Sequence, residues 1–148
     1  MQAFEDVEKI YQERVDIYLG PLAPVDVPAK YVMDYDLLTQ PLWELTYGEA
    51  CGWAGLAPRG REAIERLITD EQYSLIENIL RGYNPEGRIY AIEAILRIGK
   101  SVPQIILRNR EIIGKLLSLD IEIAACYGCF FGYSPARWLL NDLLMEGF

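Results

Sequence analysis

Apolar residues recur at intervals of three and four along most of the chain, which is the spacing of amphipathic helices. The first such run alternates with charged residues and predicts a helix whose apolar face carries Phe4, Val7, Tyr11, Val15 and Tyr18. Prolines at positions 21, 24 and 28 then predict an extended connector, because proline does not fit inside a helix. Helical stretches are predicted again over residues 31–39 and, beyond Pro41, from Leu42 to Trp53.

The later helices are each predicted to begin at a proline or at a capping residue. A side-chain oxygen at such a position accepts an unpaired amide of the first turn, and proline has no amide to leave unpaired. The predicted starts are Pro58, the pair Thr69 and Asp70 before a helix over 71–80, the pair Asn84 and Pro85, Pro103, and the pair Ser134 and Pro135. Gly99 ends the helix that starts at Asn84, and the whole pattern predicts about eight helices.

Residues 121–133, IEIAACYGCFFGY, have neither a clear helical nor a clear strand period. Helix and strand both stay open, but the branched and aromatic residues and the two glycines favour a short β segment near 121–131. The predicted fold is therefore mainly α, one domain over 1–148, with helices stacked as antiparallel pairs and a short β segment near the C-terminal end.

The segment ILRGYNPEGRIYAIEAILRIGK, residues 79–100, has a polar turn, an arginine and then small and apolar positions. These are Asn84, Pro85, Glu86, Arg88, Ala91, Ala94 and Ile95. The segment resembles the core of a HEAT-type repeat, and a fainter echo extends the resemblance back to about residue 58. It departs from the repeat at Gly87, where valine or isoleucine is usual. The resemblance implies stacked helix pairs with an extended binding surface, as against an irregular helical bundle, and it implies no catalytic chemistry.

Composition excludes several classes of function. The 148 residues include no histidine, so Ser/His and Cys/His nucleophiles and zinc sites with a His ligand are excluded. No run of about 18 uncharged apolar residues is present to cross a bilayer, and no signal peptide is recognisable. We therefore expect a cytoplasmic protein that does not associate with membranes.

The charge is unevenly distributed along the chain. There are 22 acidic residues against 14 basic ones, a formal net charge of -8. Residues 1–57 hold ten acids and three bases, residues 58–115 hold eight acids and ten bases, and residues 116–148 hold four acids and one base. This gives no basic face for nucleic acid. An acidic surface instead favours a basic protein partner.

Cys126 and Cys129 have the CxxC spacing of a thiol redox pair. With three cysteines and no histidine the chain lacks four zinc ligands of these types, so no metal site is predicted. A redox motif normally opens a helix after a strand near the start of a domain, whereas this one lies near the C-terminus. The two readings are buried structural thiols beside Phe130 and Phe131, and a redox pair.

No catalytic set is recognisable. Pairs of acids such as Glu44 and Glu49, or Asp34 and Asp36, have the chemistry for glycoside hydrolysis, but nothing distinguishes them from solvated helix faces. Phosphate-binding and dinucleotide-binding glycine motifs are absent from the sequence. We predict a protein that is not an enzyme and needs no cofactor.

Aromatic residues interleave with acids after the proline connector. The predicted partner-binding residues are Tyr31, Asp34, Tyr35, Asp36, Trp43, Glu44, Tyr47 and Glu49. Tyr and Trp supply interface area at low entropic cost, and carboxylates attract a basic partner; the alternative is that the rings turn into the core. In general character the chain is similar to bacterial immunity proteins against nucleases. It is predicted to bind and inhibit a basic protein, with thiol redox chemistry at Cys126 and Cys129 as the alternative.

Overall fold

Helix α5, Pro85–Ile98, is the buried centre of the fold. The structure, a computed structural model, describes residues 2–21, 23–41 and 44–145. As predicted, the Asn84 side chain accepts a hydrogen bond from the Gly87 amide at 3.0 Å, Pro85 occupies the first turn and Gly99 follows the last residue. Ten of the fourteen residues of α5 are buried, and helices of both the preceding and the following chain pack against it.

The described residues form seven α-helices and one two-stranded antiparallel sheet, which confirms the predicted mainly α fold with a short β segment. The helices are α1 Gln2–Leu19, α2 Val32–Thr39, α3 Arg59–Thr69, α4 Tyr73–Ile79, α5 Pro85–Ile98, α6 Pro103–Leu117 and α7 Ala136–Met145, and the strands are β1 Glu122–Tyr127 and β2 Phe130–Pro135. None of these helices combines the length and the apolar composition needed to cross a membrane.

The two strands form a hairpin whose outer strand is exposed. Tyr127 pairs with Phe130 across a turn made by Gly128 and Cys129, and Gly128 has the positive φ of 58° that such a tight turn requires. Ile123 and Ala125 of β1 are buried in the core, whereas β2 is exposed over most of its length. The residues at this turn therefore point away from the helical core.

The predicted helix from Leu42 to Trp53 is wrong over its described residues, 44–53. This segment is extended and forms backbone bridges to β1 and the hairpin turn: the Tyr47 amide donates to the Ala124 carbonyl at 2.8 Å, and the Cys126 amide donates to the Tyr47 carbonyl at 2.9 Å. The exposed backbone edge of β1 thus satisfies amides that a helix would have paired internally. Leu42 itself lies outside the described residues.

The predicted cap of α4 is also wrong. Helix α3 extends through Thr69 and ends at Asp70, the chain turns at Glu71 with a φ of 55°, and α4 begins only at Tyr73. The Asp70 carboxylate does not cap a helix because it accepts hydrogen bonds from Tyr31 and Lys30. The Asp70 side chain, which the local pattern predicts to be a helix cap, is engaged in a tertiary contact instead.

Candidate functional site

A largely buried ion pair links α3 to α5 beside the extended segment. The Arg61 guanidinium donates to both carboxylate oxygens of Glu93, at 3.1 Å from Nη2 to Oε1, and its Nε donates to the Gly48 carbonyl at 2.9 Å. The Tyr47 hydroxyl also donates to Glu93 Oε1, at 2.8 Å. Arg61 is only 6% exposed, so these bonds replace the water that its charge has lost.

Two tyrosine rings enclose this pair. The Arg61 guanidinium carbon lies 5.0 Å from the ring centroid of Tyr90 and 5.6 Å from that of Tyr47, which suits cation–π attraction. Burial would lower the pKa of Arg61, but the hydrogen bonds and the charge of Glu93 raise it above its usual value. Burial, and then the charge of Glu93, raise the pKa of the Tyr47 hydroxyl. The raised pKa values keep Arg61 charged and Tyr47 neutral, so both groups stay hydrogen-bond donors to Glu93.

The pair continues outward along α3 and α5. Arg61 approaches Glu65 at 3.4 Å, and Arg97 donates to both oxygens of Glu65. The hydrogen bonds from Arg97 lower the pKa of Glu65 below its usual range, even though partial burial opposes this. The two helices are thus joined by alternating charges from the core to the surface.

A cleft of about 330 Å³ opens above this cluster. Arg61, Glu93 and Tyr47 form its floor, while Glu49 and Asp142 line its mouth. Both mouth carboxylates are exposed, and neither forms an ion pair with another described residue. The cleft therefore presents uncompensated negative charge above a floor whose own charges cancel.

Three exposed aromatic residues border the cleft, and we call this group the aromatic tip. They are Trp53, Tyr127 and Phe130. Tyr127 lines the cleft and pairs with Phe130 across the hairpin turn. Trp53 follows Gly52, whose amide donates to the Gly128 carbonyl of that turn at 2.8 Å. Trp53 is 93% exposed and Phe130 81% exposed. Large apolar groups exposed together in this way are typical of an interaction surface.

The cysteines are paired differently from the CxxC prediction. Cys126 forms a disulfide with Cys51 of the extended segment, and Cys129 is a free, exposed thiol in the hairpin turn. The Cys51–Cys126 bond fixes the extended segment to β1 beneath the cleft. Phe130 and Phe131 are exposed, so they do not pack around buried thiols as one of the two readings required.

The predicted partner-binding residues divide into two groups. Those on and before α2 lie outside the cleft lining and are engaged internally: Tyr31 donates to Asp70 at 2.7 Å, Asp34 accepts two hydrogen bonds from Arg66, and Tyr35 accepts one from Asn78 at 2.7 Å. Tyr31 and Asp34 are buried, and Tyr35 and Asp36 are half-buried. This group stabilises the contacts of α2 with α3 and α4.

The second group lies along the extended segment. Tyr47 and Glu49 line the cleft, the former buried in its floor and the latter exposed at its mouth. Glu44 is exposed and does not line the cleft, and Trp43 lies outside the described residues. The structure therefore brings two of the eight predicted residues to the candidate site.

Sequence reasoning missed Arg61, Glu93, Asp142 and the aromatic tip. Arg61 and Glu93 are 32 positions apart on different helices, so no local spacing connects them. A recognisable signal was present at the tip, because aromatic residues flank a Gly-Cys turn and therefore extend beyond the core.

Comparisons with protein-family models, with curated proteins and with solved structures find no match to this chain, so the HEAT-type resemblance of residues 58–100 stays a prediction.

Proposed function

We propose that this protein binds a basic partner protein and takes an arginine or lysine side chain of that partner into the cleft. The observation that carries the proposal is that Glu49 and Asp142, which have no ion-pair partner in the described part of the chain, lie at the mouth of a cleft bordered by the aromatic tip. Carboxylates recognise a guanidinium or ammonium group by charge-assisted hydrogen bonds, and aromatic side chains are enriched among the residues that dominate binding energy.

The supporting framework of the cleft favours binding over catalysis. Glu93 accepts hydrogen bonds from Arg61 and Tyr47, so the floor of the cleft is held in place by contacts within the protein. A rigid floor reduces the entropy lost when a partner side chain enters. The net charge of -8 adds long-range attraction, which raises the association rate with a basic protein at low salt. Inhibition of a basic enzyme, as an immunity protein does, is the specific form of this proposal.

Reversing the two mouth charges should abolish partner capture. The tagged wild-type chain and the variant Glu49→Lys/Asp142→Lys are incubated with extract of the native cell at low and moderate salt, and bound proteins are quantified by mass spectrometry. The control is Glu5→Lys/Glu13→Lys on α1, which changes the net charge equally at exposed positions outside the cleft. We expect a basic protein to be captured by the wild type and the control and lost from the cleft variant.

Two outcomes contradict the proposal. Equal loss from both variants would show that total charge, and not the cleft, attracts the partner. Undiminished capture by the cleft variant would remove Glu49 and Asp142 from the interface. A further variant, Phe130→Ser, tests the aromatic tip, where a residue that dominates binding energy would weaken affinity by about 2 kcal/mol, roughly 30-fold. Phe130 is exposed, so its replacement leaves the core intact.

Thiol exchange is the alternative function, and the position of Cys129 favours it. Cys129 follows Gly128, whose carbonyl accepts the Gly52 amide beside the Cys51–Cys126 disulfide. Attack of the Cys129 thiolate on the Cys126 sulfur would form a Cys126–Cys129 disulfide and release Cys51 as a thiolate, so that electrons balance without another oxidant.

Alkylation of the native protein distinguishes a static disulfide from exchange. We expect iodoacetamide at pH 8 to label Cys129 alone, because Cys129 is exposed and the other two sulfurs are bonded to each other. Peptide mapping should then recover the Cys51–Cys126 link. Label on Cys51 together with a Cys126–Cys129 peptide would support the redox alternative, whereas the absence of both after prolonged incubation would end it.

The predicted cytoplasmic location has a direct consequence for these cysteines. Disulfides are rare in the reducing cytoplasm. A cytoplasmic protein would therefore carry Cys51 and Cys126 as thiols in the cell, which acid trapping and differential alkylation of freshly lysed cells would detect.

A further inference from the structure

A second cavity, of about 480 Å³, lies between α1 and the first turn of α5. Its wall is mostly apolar, with Val15 and Leu19 contributed by α1 and Leu119 and Ile121 by the segment before β1. Small-molecule sites commonly measure roughly 300–1,000 Å³ and have apolar walls with a few polar groups. The cavity therefore has the size and lining of a ligand site and is separate from the cleft proposed above.

A buried arginine that has no ion-pair partner among the described residues faces this cavity. Arg88 is 4% exposed; its Nε donates to the Gly82 carbonyl at 2.7 Å and its Nη2 to the Tyr11 hydroxyl at 3.1 Å. Both acceptors are neutral, and Arg88 forms no ion pair with any carboxylate of the described residues. A buried charge that lacks a counter-ion is energetically costly. An anion in the cavity would therefore bind with a favourable electrostatic free energy that a neutral molecule cannot contribute.

The mouth of the cavity is also basic. Arg14 lines it, is exposed, and has no ion-pair partner within the described part of the chain. The Lys115 ammonium lies nearby and donates to the carbonyl of Tyr18, a lining residue, at 3.3 Å, but Glu111 pairs with it at 3.8 Å, so the positive charge at the mouth comes from Arg14. This local excess of positive charge is the reverse of the acidic composition of the whole chain.

The nearby acids do not neutralise the cavity. Asp16 of α1 accepts a hydrogen bond from the Tyr83 hydroxyl at 2.9 Å, and among the described residues it forms no ion pair with Arg14 or Arg88. Glu86 lies two positions before Arg88, and burial raises the pKa of its carboxyl group to about 7. The charge of Arg88 lowers this pKa, but it is the weakest of the influences on it. Glu86 is therefore a weak counter-ion for Arg88 near neutral pH.

We propose that this cavity binds a small amphipathic carboxylate, with its aliphatic chain against Val15, Leu19 and Ile121 and its carboxylate on Arg14 and Arg88. The guanidinium groups supply charge-assisted hydrogen bonds that match a carboxylate, and the apolar wall removes the aliphatic chain from water. The ligand class follows from the combination of a mostly apolar wall with two arginines that form no ion pair with any carboxylate the structure describes.

Calorimetric titration with octanoate and with 1-octanol tests this proposal on the full chain. The two probes have equal chain length and differ in the charge of the head group. We expect octanoate to bind one molecule per chain and 1-octanol to bind at least tenfold more weakly. Arg14→Gln should weaken octanoate binding about tenfold and leave 1-octanol unchanged, and it should fold normally because Arg14 is exposed.

A cavity-filling variant locates the bound molecule. Val15→Trp should abolish binding of both probes, and circular dichroism of the same sample establishes that the variant is folded. Octanoate binding by a folded Val15→Trp protein would place the ligand elsewhere. Equal affinity for the two probes, or octanoate binding unaffected by Arg14→Gln, would overturn recognition of the carboxylate. The absence of octanoate binding at millimolar concentration would overturn the proposal. It would also be overturned if the wild-type protein were a dimer and Val15→Trp were a monomer, because the cavity would then be a contact between two copies of the chain.

Discussion

Replacement of Gly87 by alanine is expected to destabilise the protein by about 3 kcal/mol, at the upper end for an inserted methyl group. A Cβ atom at Gly87 would lie 2.9 Å from the Leu38 carbonyl carbon and 3.3 Å from its Cα, and closer still to its carbonyl oxygen. These are backbone atoms of α2, which do not rotate away as a side chain would. The only relief is separation of α2 from α5, with loss of the packing between them.

Gly114 provides the matched control for this substitution. It lies in α6, and nothing is within 4 Å of the position that its Cβ would occupy. Gly114→Ala should therefore stabilise the protein by about 0.5–1 kcal/mol, since alanine loses less backbone entropy in a helix. Urea denaturation followed by circular dichroism measures both variants. A Gly87→Ala protein as stable as Gly114→Ala would show that α2 does not pack on α5 at this point.

Gly87 also explains a departure from the predicted HEAT-type pattern. The repeat usually carries a branched residue at this position, and that side chain would occupy the space that the Leu38 carbonyl fills here. In the sequence, the only sign of such a close approach between two helices is a glycine inside an otherwise strong helical segment. Local sequence patterns do not indicate that the helix packed at this position is α2, because that contact depends on the tertiary structure.

The limits of the sequence prediction have the same physical origin. Asn84, Pro85 and Gly99 act within one or two helical turns of themselves, so the bounds of α5 were predictable from capping chemistry. The prediction of a helix over the extended segment was wrong because the backbone partner of Tyr47 lies in β1, far along the chain. An amphipathic pattern cannot distinguish a helix from a strand whose partner comes that much later.

The candidate site was predictable only where it lies on one continuous segment. Tyr47 and Glu49 were identified because aromatic and acidic residues alternate in sequence there. Asp142 lines the same cleft from α7, and the residues of the floor come from α3 and α5. The sequence therefore predicts a binding surface of acidic and aromatic residues, but it places most of them on and before α2, where Arg66 and Asp70 engage the predicted side chains.

Removal of Arg61 is expected to have the other large effect, because the largely buried Glu93 carboxylate would keep only Arg97, 3.8 Å away and partly exposed, as an ion-pair partner among the described residues. Arg61→Met should cost about 3 kcal/mol, the lower end of the range for deleting one member of a buried ion pair, because Arg97 still offsets part of the Glu93 charge. Arg108→Met is the control, since the Arg108–Glu77 pair, 3.1 Å apart, has an arginine more than half exposed and should contribute at most about 1 kcal/mol. Urea denaturation at pH 7 compares the two.

A double variant separates loss of the charge balance from loss of packing. In Arg61→Met/Glu93→Gln the carboxylate charge that lost its main partner is gone, while the Gln side-chain oxygen still accepts the Tyr47 hydroxyl bond that Glu93 accepts now. We expect this variant to be more stable than Arg61→Met alone, although less stable than the wild type because the bond to the Gly48 carbonyl is lost. If Gln brings no recovery, the guanidinium contributes mainly by filling space between the Tyr47 and Tyr90 rings. The floor of the cleft would then be held by packing and not by charge.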